Sequence, residues 1–137
     1  MTKEELIEGI NSLSNFNKYN GIVVTDVGND YSVVEGELND NAKNPWGSAH
    51  GGFIYSLCDV AAGVVVSKGM RKCVTLSGNI RYLHASKGSK LRVEGKIIKG
   101  GSNVVYVETS VYDDNGQLTA KGDFDIFVLK PLTEGKT

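Results

Sequence analysis

Between Asn44 and Thr75 the sequence spaces a few residues that can do chemistry: Asn44, His50, the pair Gly51-Gly52, Asp59 and Thr75. Asp59 stands out, because it interrupts GGFIYSLCDVAAGVVV, the most apolar stretch of the chain. Burying an ionised carboxylate without a partner is expensive and shifts its pKa instead. Asp59 therefore has either a backbone or hydroxyl partner or a reaction to serve. The paired glycines open the same stretch. At a helix start, free N–H groups point outward and the dipole favours negative charge, and glycine lets a ligand approach the backbone. That arrangement suits the oxyanion of an acyl-transfer intermediate. Close packing of a helix accounts for two glycines equally well.

Spacing limits how these residues can meet. On one helix, Asp59 lies about 13 Å from His50 and on nearly the opposite face, and Cys58 lies about 12 Å away, so neither forms a pair with His50 within one chain. If His50, Gly51 and Asp59 act on one substrate, two chains must contribute. A twofold dimer with two such helices antiparallel sets the start of one against the middle of the other, twice over.

The positioning elements follow from pattern. Phe53, Ile54, Leu57, Val60, Ala61, Val64 and Val65 share one broad helical face, and Tyr55, Cys58, Ala62 and Val66 cover most of the rest. A helix over about 51–67, closed by Gly69, is thus expected to be buried. Upstream, Thr2 and Glu5 form a capping-box pair for a short helix to about Asn15 with a Leu6, Ile10, Leu13 stripe. Gly28-Asn29-Asp30 separates two β-branched runs as a hairpin turn, and NDNAKNPWGS reads as a loop. Downstream come four strand-like segments, Cys73–Leu83, Lys90–Ile98, Asn103–Tyr112 and Leu118–Leu129. Short connections rich in turn formers make neighbours antiparallel. About six strands and one apolar helix imply a sheet curled around that helix.

The whole chain bounds the function. Its 137 residues suit one domain, 1–137, with an N-terminal helix in 1–16 and a polar tail over 131–137. Fifteen basic against sixteen acidic residues give no reason to expect nucleic acid or an anionic membrane as partner. No signal peptide opens the chain, and the apolar run is too short to span a membrane. Cys58 and Cys73 lack metal-site or disulfide-framework spacing. A cytoplasmic protein in a reducing compartment is the expectation.

The stretch N-x5-HGG-x7-D, from Asn44 to Asp59, resembles the signature of hotdog-fold acyl-CoA thioesterases of the phenylacetate-degradation type. VTLSGNIRYLHAS, Val74 to Ser86, is similar to that family's next strand, and the element order matches over roughly 20 to 130. The resemblance implies an α+β hotdog fold, an antiparallel sheet of about six strands wrapped around a long central helix. It implies hydrolysis of acyl-CoA to a free acid and coenzyme A in composite sites of a homodimer, often paired into tetramers, with no cofactor or metal beyond coenzyme A as part of the substrate. Asp59 matches the acidic residue acting as general base on water or as nucleophile. Gly51 matches the N–H that polarises the thioester carbonyl, with Gly52 beside it. Asn44 matches a residue that positions thioester or water, His50 a supporting histidine, and Thr75 the hydroxyl that orients water or carboxylate. Ser77, read as lying on the same strand face, is the fallback for Thr75.

Pro45-Trp46 is bulkier than expected after Asn44, so Trp46 either shapes the acyl pocket or packs the loop. Asp59 stands where related branches carry glutamate, which leaves direct attack and water activation both open. Arg81, Lys87, Lys90, Lys68, Arg71 and Lys72 are candidates for the coenzyme A phosphates. The alternatives are a non-catalytic acyl-CoA binding or sensing module and a hotdog dehydratase, whose different histidine–acid pairing is not found.

Overall fold

Thr2 caps the first helix, α1 (Lys3–Leu13): its hydroxyl accepts from the Glu5 N–H while the Glu5 side chain reaches back to the cap. The structure, a computed structural model, describes residues 1–129; the polar tail lies outside them. The N-terminal helical segment runs further than the apolar stripe indicates. Ser14 ends α1 in extended backbone and immediately caps a short second helix, α2 (Asn15–Tyr19), by accepting from the Asn17 N–H.

β1 (Ile22–Val27) and β2 (Tyr31–Glu37) form the expected hairpin, closed by the Gly28 N–H donating to Tyr31 O at 2.8 Å. The outer edge of β1 is covered by α1: Asn11 donates to Val24 O at 2.9 Å and accepts from the Val24 N–H at 2.8 Å, filling both backbone groups of a potential docking edge. The Asn39-to-His50 loop contains only a single 3-10 turn, Asp40–Ala42.

The long helix α3 (Gly51–Ser67) packs into a six-stranded sheet completed by β3 (Cys73–Tyr82), β4 (Lys90–Gly100), β5 (Val104–Tyr112) and β6 (Leu118–Val128). Every pairing is antiparallel, in the order β1-β2-β4-β5-β6-β3. That order corrects one expectation. β3 and β4, joined by a short turn-rich segment, are not neighbours: β3 pairs with β6 at the sheet edge. The connecting segment crosses the end of the sheet, its backbone held by Thr119, Ala49 and Leu38.

Glycine makes room for the helix at two points. A Cβ on Gly36 would come within 2.6 Å of a Leu57 methyl, and one on Gly95 within 3.0 Å of Ala61 O. Ser32 beside Gly95 donates to that same carbonyl at 2.7 Å. Leu57, Cys58, Ala61, Ala62, Val65 and Val66 are fully buried, each large aliphatic contributing roughly 1.5–3 kcal/mol by leaving water. The helix is nevertheless not buried all round. Gly52, Ser56, Asp59, Val60 and Gly63 lie on a side the sheet does not cover. At its C-terminus Lys68, one residue before Gly69, takes the left-handed turn (φ 49°) and donates to Val64 O. The Lys68 and Arg71 side chains then donate to the carbonyls of Val65 and Val66, cations placed at the negative end of the dipole.

Candidate active site

Asp59 has a hydroxyl partner. Thr75 Oγ1 donates to Asp59 Oδ1 at 2.6 Å, joining the middle of α3 to the start of β3, and among the described residues no donor reaches Oδ2. The carboxylate is only half-buried and faces an open groove of about 640 Å³ whose walls include Tyr55, Ser56, Val60 and Cys73. One oxygen is held and the other faces space, which suits a group that must collect a proton or attack a carbon.

A bulge on β3 decides which hydroxyl does the holding. Thr75 pairs with the inward-facing Ile126, but the register against β6 shifts between Thr75 and Ser77. The extra residue, Leu76, reverses the alternation. Ser77 therefore does not share Thr75's face: it turns outward and donates to Asp125 Oδ2 at 2.9 Å.

The start of α3 forms a second, separate groove of about 330 Å³ containing Asn44, Gly51, Ile54 and Tyr82. His50 is the N-cap, with Nδ1 accepting from the Gly52 N–H at 2.8 Å, and its carbonyl takes the N–H groups of Phe53 and Ile54. The Gly51 N–H is thus left as the one early donor of the helix without an acceptor among the described residues, and the Gly52 N–H is already used. Asn44 sits in a tight turn: Oδ1 accepts from the N–H groups of Trp46 and Ser48, and Nδ2 donates to Ser48 Oγ at 2.9 Å, which leaves one Nδ2 hydrogen. Tyr82, inside the Val74–Ser86 stretch but given no role by it, donates to Gly51 O at 2.8 Å and packs over Gly51. Partial burial raises its phenol above the ordinary value, so it stays a donor.

Gly51 and Asp59 are thus both available, but about 12 Å apart along one helix and in different grooves. Trp46 neither packs its loop nor lines either groove; it is 84% exposed. Arg81 and Lys87 are exposed and also line neither groove. Lys90 is held by Glu35 at 3.2 Å. Arg71 and Lys72, by contrast, line the Asp59 groove. Cys58 is inert in its surroundings, burial pushing the thiol up to about 12. Among the described residues no three of His, Cys, Asp or Glu come together as metal ligands, and no helix is long and apolar enough to cross a membrane.

Comparison with known proteins gives the family and the fold. A family model described as the thioesterase superfamily matches residues 47–120, more than half of the chain. A Streptococcus mutans protein solved bound to acetyl CoA is 29% identical, with TM-score 0.75 over 82% of this chain and 91% of its own. A hypothetical thioesterase of Streptococcus pneumoniae is 25% identical, with TM-score 0.76 over 82% of this chain and 94% of its own. It was solved with an aspartate changed to alanine, and separately with a threonine 16 positions further on changed to alanine. The PaaI protein of the Escherichia coli phenylacetic acid degradation operon, 16% identical, shares the fold with TM-score 0.82 over 91% of this chain and 96% of its own.

Proposed function

The chain belongs to the thioesterase superfamily, and from that premise we propose that it is an acyl-CoA thioesterase whose site is shared between two copies. The observation that carries the reading is the Asp59–Thr75 pair at an open groove, with one carboxylate oxygen held and the other free. The altered aspartate and threonine of the Streptococcus pneumoniae thioesterase have the same spacing, 16 positions, and acetyl CoA in the Streptococcus mutans relative supports coenzyme A as the leaving group.

In this mechanism the thioester carbonyl oxygen sits at the Gly51 N–H, where the start of α3 stabilises the oxyanion. Asp59 from the other copy takes a proton from water as the water oxygen attacks the carbonyl carbon. The tetrahedral intermediate collapses with cleavage of the C–S bond, and the proton passes to the departing coenzyme A thiolate. Direct attack by Asp59 would instead give a mixed anhydride that water then opens. Thr75 holds the carboxylate in line for either route. The remaining Asn44 N–H can orient the water or thioester, and Tyr82 holds the Gly51 carbonyl, on the peptide next to the one that carries the Gly51 N–H.

Two copies satisfy the distance. Antiparallel pairing of α3 helices brings Gly51 of each to Asp59 of the other. The sheet offers a place for it. Among the described residues β3 is an edge strand without a partner on its outer side, and Val74, Leu76, Tyr82 and Leu83 on and just beyond it are 48–58% exposed, which suits burial against a second copy.

The test is thiol release from a panel of acyl-CoAs, wild type beside Asp59→Asn, with mass measured by light scattering. Release that collapses in the variant while the dimer persists supports the reading. Saturable acyl-CoA binding without thiol release would replace it with a binding module.

A further inference from the structure

The groove that holds Asp59 does not stop at the carboxylate. It continues along α3 to Ser67, about 12 Å further on, and its far wall comes from an unexpected source. The break between α1 and α2 at Ser14 turns Leu13 and Phe16 onto it, and Met70 closes the end. These three side chains are 68%, 56% and 73% exposed. They line an open channel and pack little against the core.

The channel floor carries a second, independent observation. Gly63 lies inside α3, where glycine weakens a helix relative to alanine. A Cβ added there would meet nothing within 4 Å. Among the described residues nothing needs Gly63 to be bare, so the space above it is kept for something outside them. In the antiparallel pairing that brings Gly51 to the partner's Asp59, position 55 lies at the crossing of the two helices. Gly63 then lies opposite Gly47 of the other copy, ahead of the start of that copy's helix, so the helix itself leaves the space open.

We infer that the channel over Gly63, walled by Leu13 and Phe16, holds the acyl group, and that the enzyme takes apolar acyl groups larger than acetyl. This rests on the thioesterase reading, since the carbon attacked beside Asp59 carries its acyl group into the adjoining space. Val60, Val64 and Tyr55 face it with the three exposed side chains, a lining that fits an aliphatic chain or an aromatic ring, while Asn17, Ser67, Arg71 and Lys72 add polar groups to its walls. The N-terminal segment thereby becomes a specificity element, set in place by the Asn11–Val24 pair and by Ile10 packed against Gly69.

The experiment compares kcat/KM on acetyl-CoA with that on longer straight-chain and aromatic acyl-CoAs, for wild type, Gly63→Leu and Phe16→Ala, with sedimentation of each variant. Wild type is expected to prefer the larger apolar groups. Gly63→Leu should lower the ratio of large-acyl to acetyl turnover at least tenfold, and Phe16→Ala should alter the same ratio about tenfold, the scale of one or more methylenes in an apolar pocket. A wild type that favours acetyl-CoA, or variants that leave the ratio where it was, overturn the inference while hydrolysis itself stands. Variants that shift the sedimentation coefficient but not the ratio overturn it too, and assign the channel to contact between copies. Absence of thiol release from every substrate in wild type is the separate failure of the thioesterase reading. If Phe16→Ala does not fold, Gly63→Leu decides alone, because the added side chain enters open space.

Discussion

Thr75 on β3 reaches across to α3 and donates to Asp59 at 2.6 Å, holding one oxygen of the carboxylate and leaving the other open to the groove. The carboxylate that looks misplaced in an apolar helix is therefore neither stranded in the core nor consumed by structure. It stands where the sheet ends its cover of α3.

Removing that restraint is expected to cost activity more than stability. Thr75→Val keeps the strand former and the volume but loses the hydroxyl, so the carboxylate rotates freely and its productive orientation is less populated. A fall in kcat of roughly 10- to 100-fold is expected, with KM little changed and Thr75→Ser restoring most of it. A Thr75→Val enzyme with unaltered kcat would show that Asp59 needs no positioning.

The Gly51 N–H can be deleted without disturbing the helix. Gly51 is the first residue of α3, where proline is well tolerated, and His50 before it already has φ −65° and ψ 135°, as a residue preceding proline requires. Gly51→Pro is expected to fold and to lose about 100-fold or more in turnover, the scale of a lost oxyanion donor.

Mixing inactive variants tests the shared site. In a heterodimer of Gly51→Pro and Asp59→Asn chains, one site carries both defects and the other carries neither. After unfolding and refolding together, random pairing should restore about a quarter of wild-type activity. If each site lies within one chain, the mixture stays as inactive as its components, which a thiol-release assay reads directly.

His50 is expected to act through its backbone and its cap. Its Nδ1 accepts the Gly52 N–H, so His50→Ala should cost about 1 kcal/mol of stability, or roughly 3–5 °C in Tm. His50→Asn should recover both Tm and activity, since asparagine caps equally well. Recovered Tm without activity would give the imidazole a chemical part.

Gly36→Ala tests how closely the helix sits in the sheet. Its new methyl would meet Leu57 at 2.6 Å and Phe53 at 2.9 Å, and overpacking of this kind costs about 1–3 kcal/mol. Denaturant melts should show a lower midpoint with an unchanged m-value. Leu57→Ala, by contrast, should cost about 2–5 kcal/mol through the cavity it leaves.

Much of this protein is written locally. The capping box at Thr2 and Glu5, the Gly28-Asn29-Asp30 turn, the helix after Gly51 and the four later strands are fixed by hydrogen bonds and side-chain periodicity over a few residues, so the sequence alone determined them to within a residue or two. It also determined that Gly51 and Asp59 on one helix cannot meet, because helical rise leaves no freedom. Tertiary structure decided the rest. Nothing local says that β3 joins β6 rather than β4, since strand order depends on which edges remain once the helix is covered. Nothing local says that Leu76 bulges, sending Ser77 outward to Asp125 while Thr75 keeps the inward face. Tyr82 over Gly51, and Leu13 and Phe16 beside the Asp59 groove, come from distant parts of the chain. Their positions follow from how the whole sheet curls around α3, and a spacing rule reads only neighbours along the sequence.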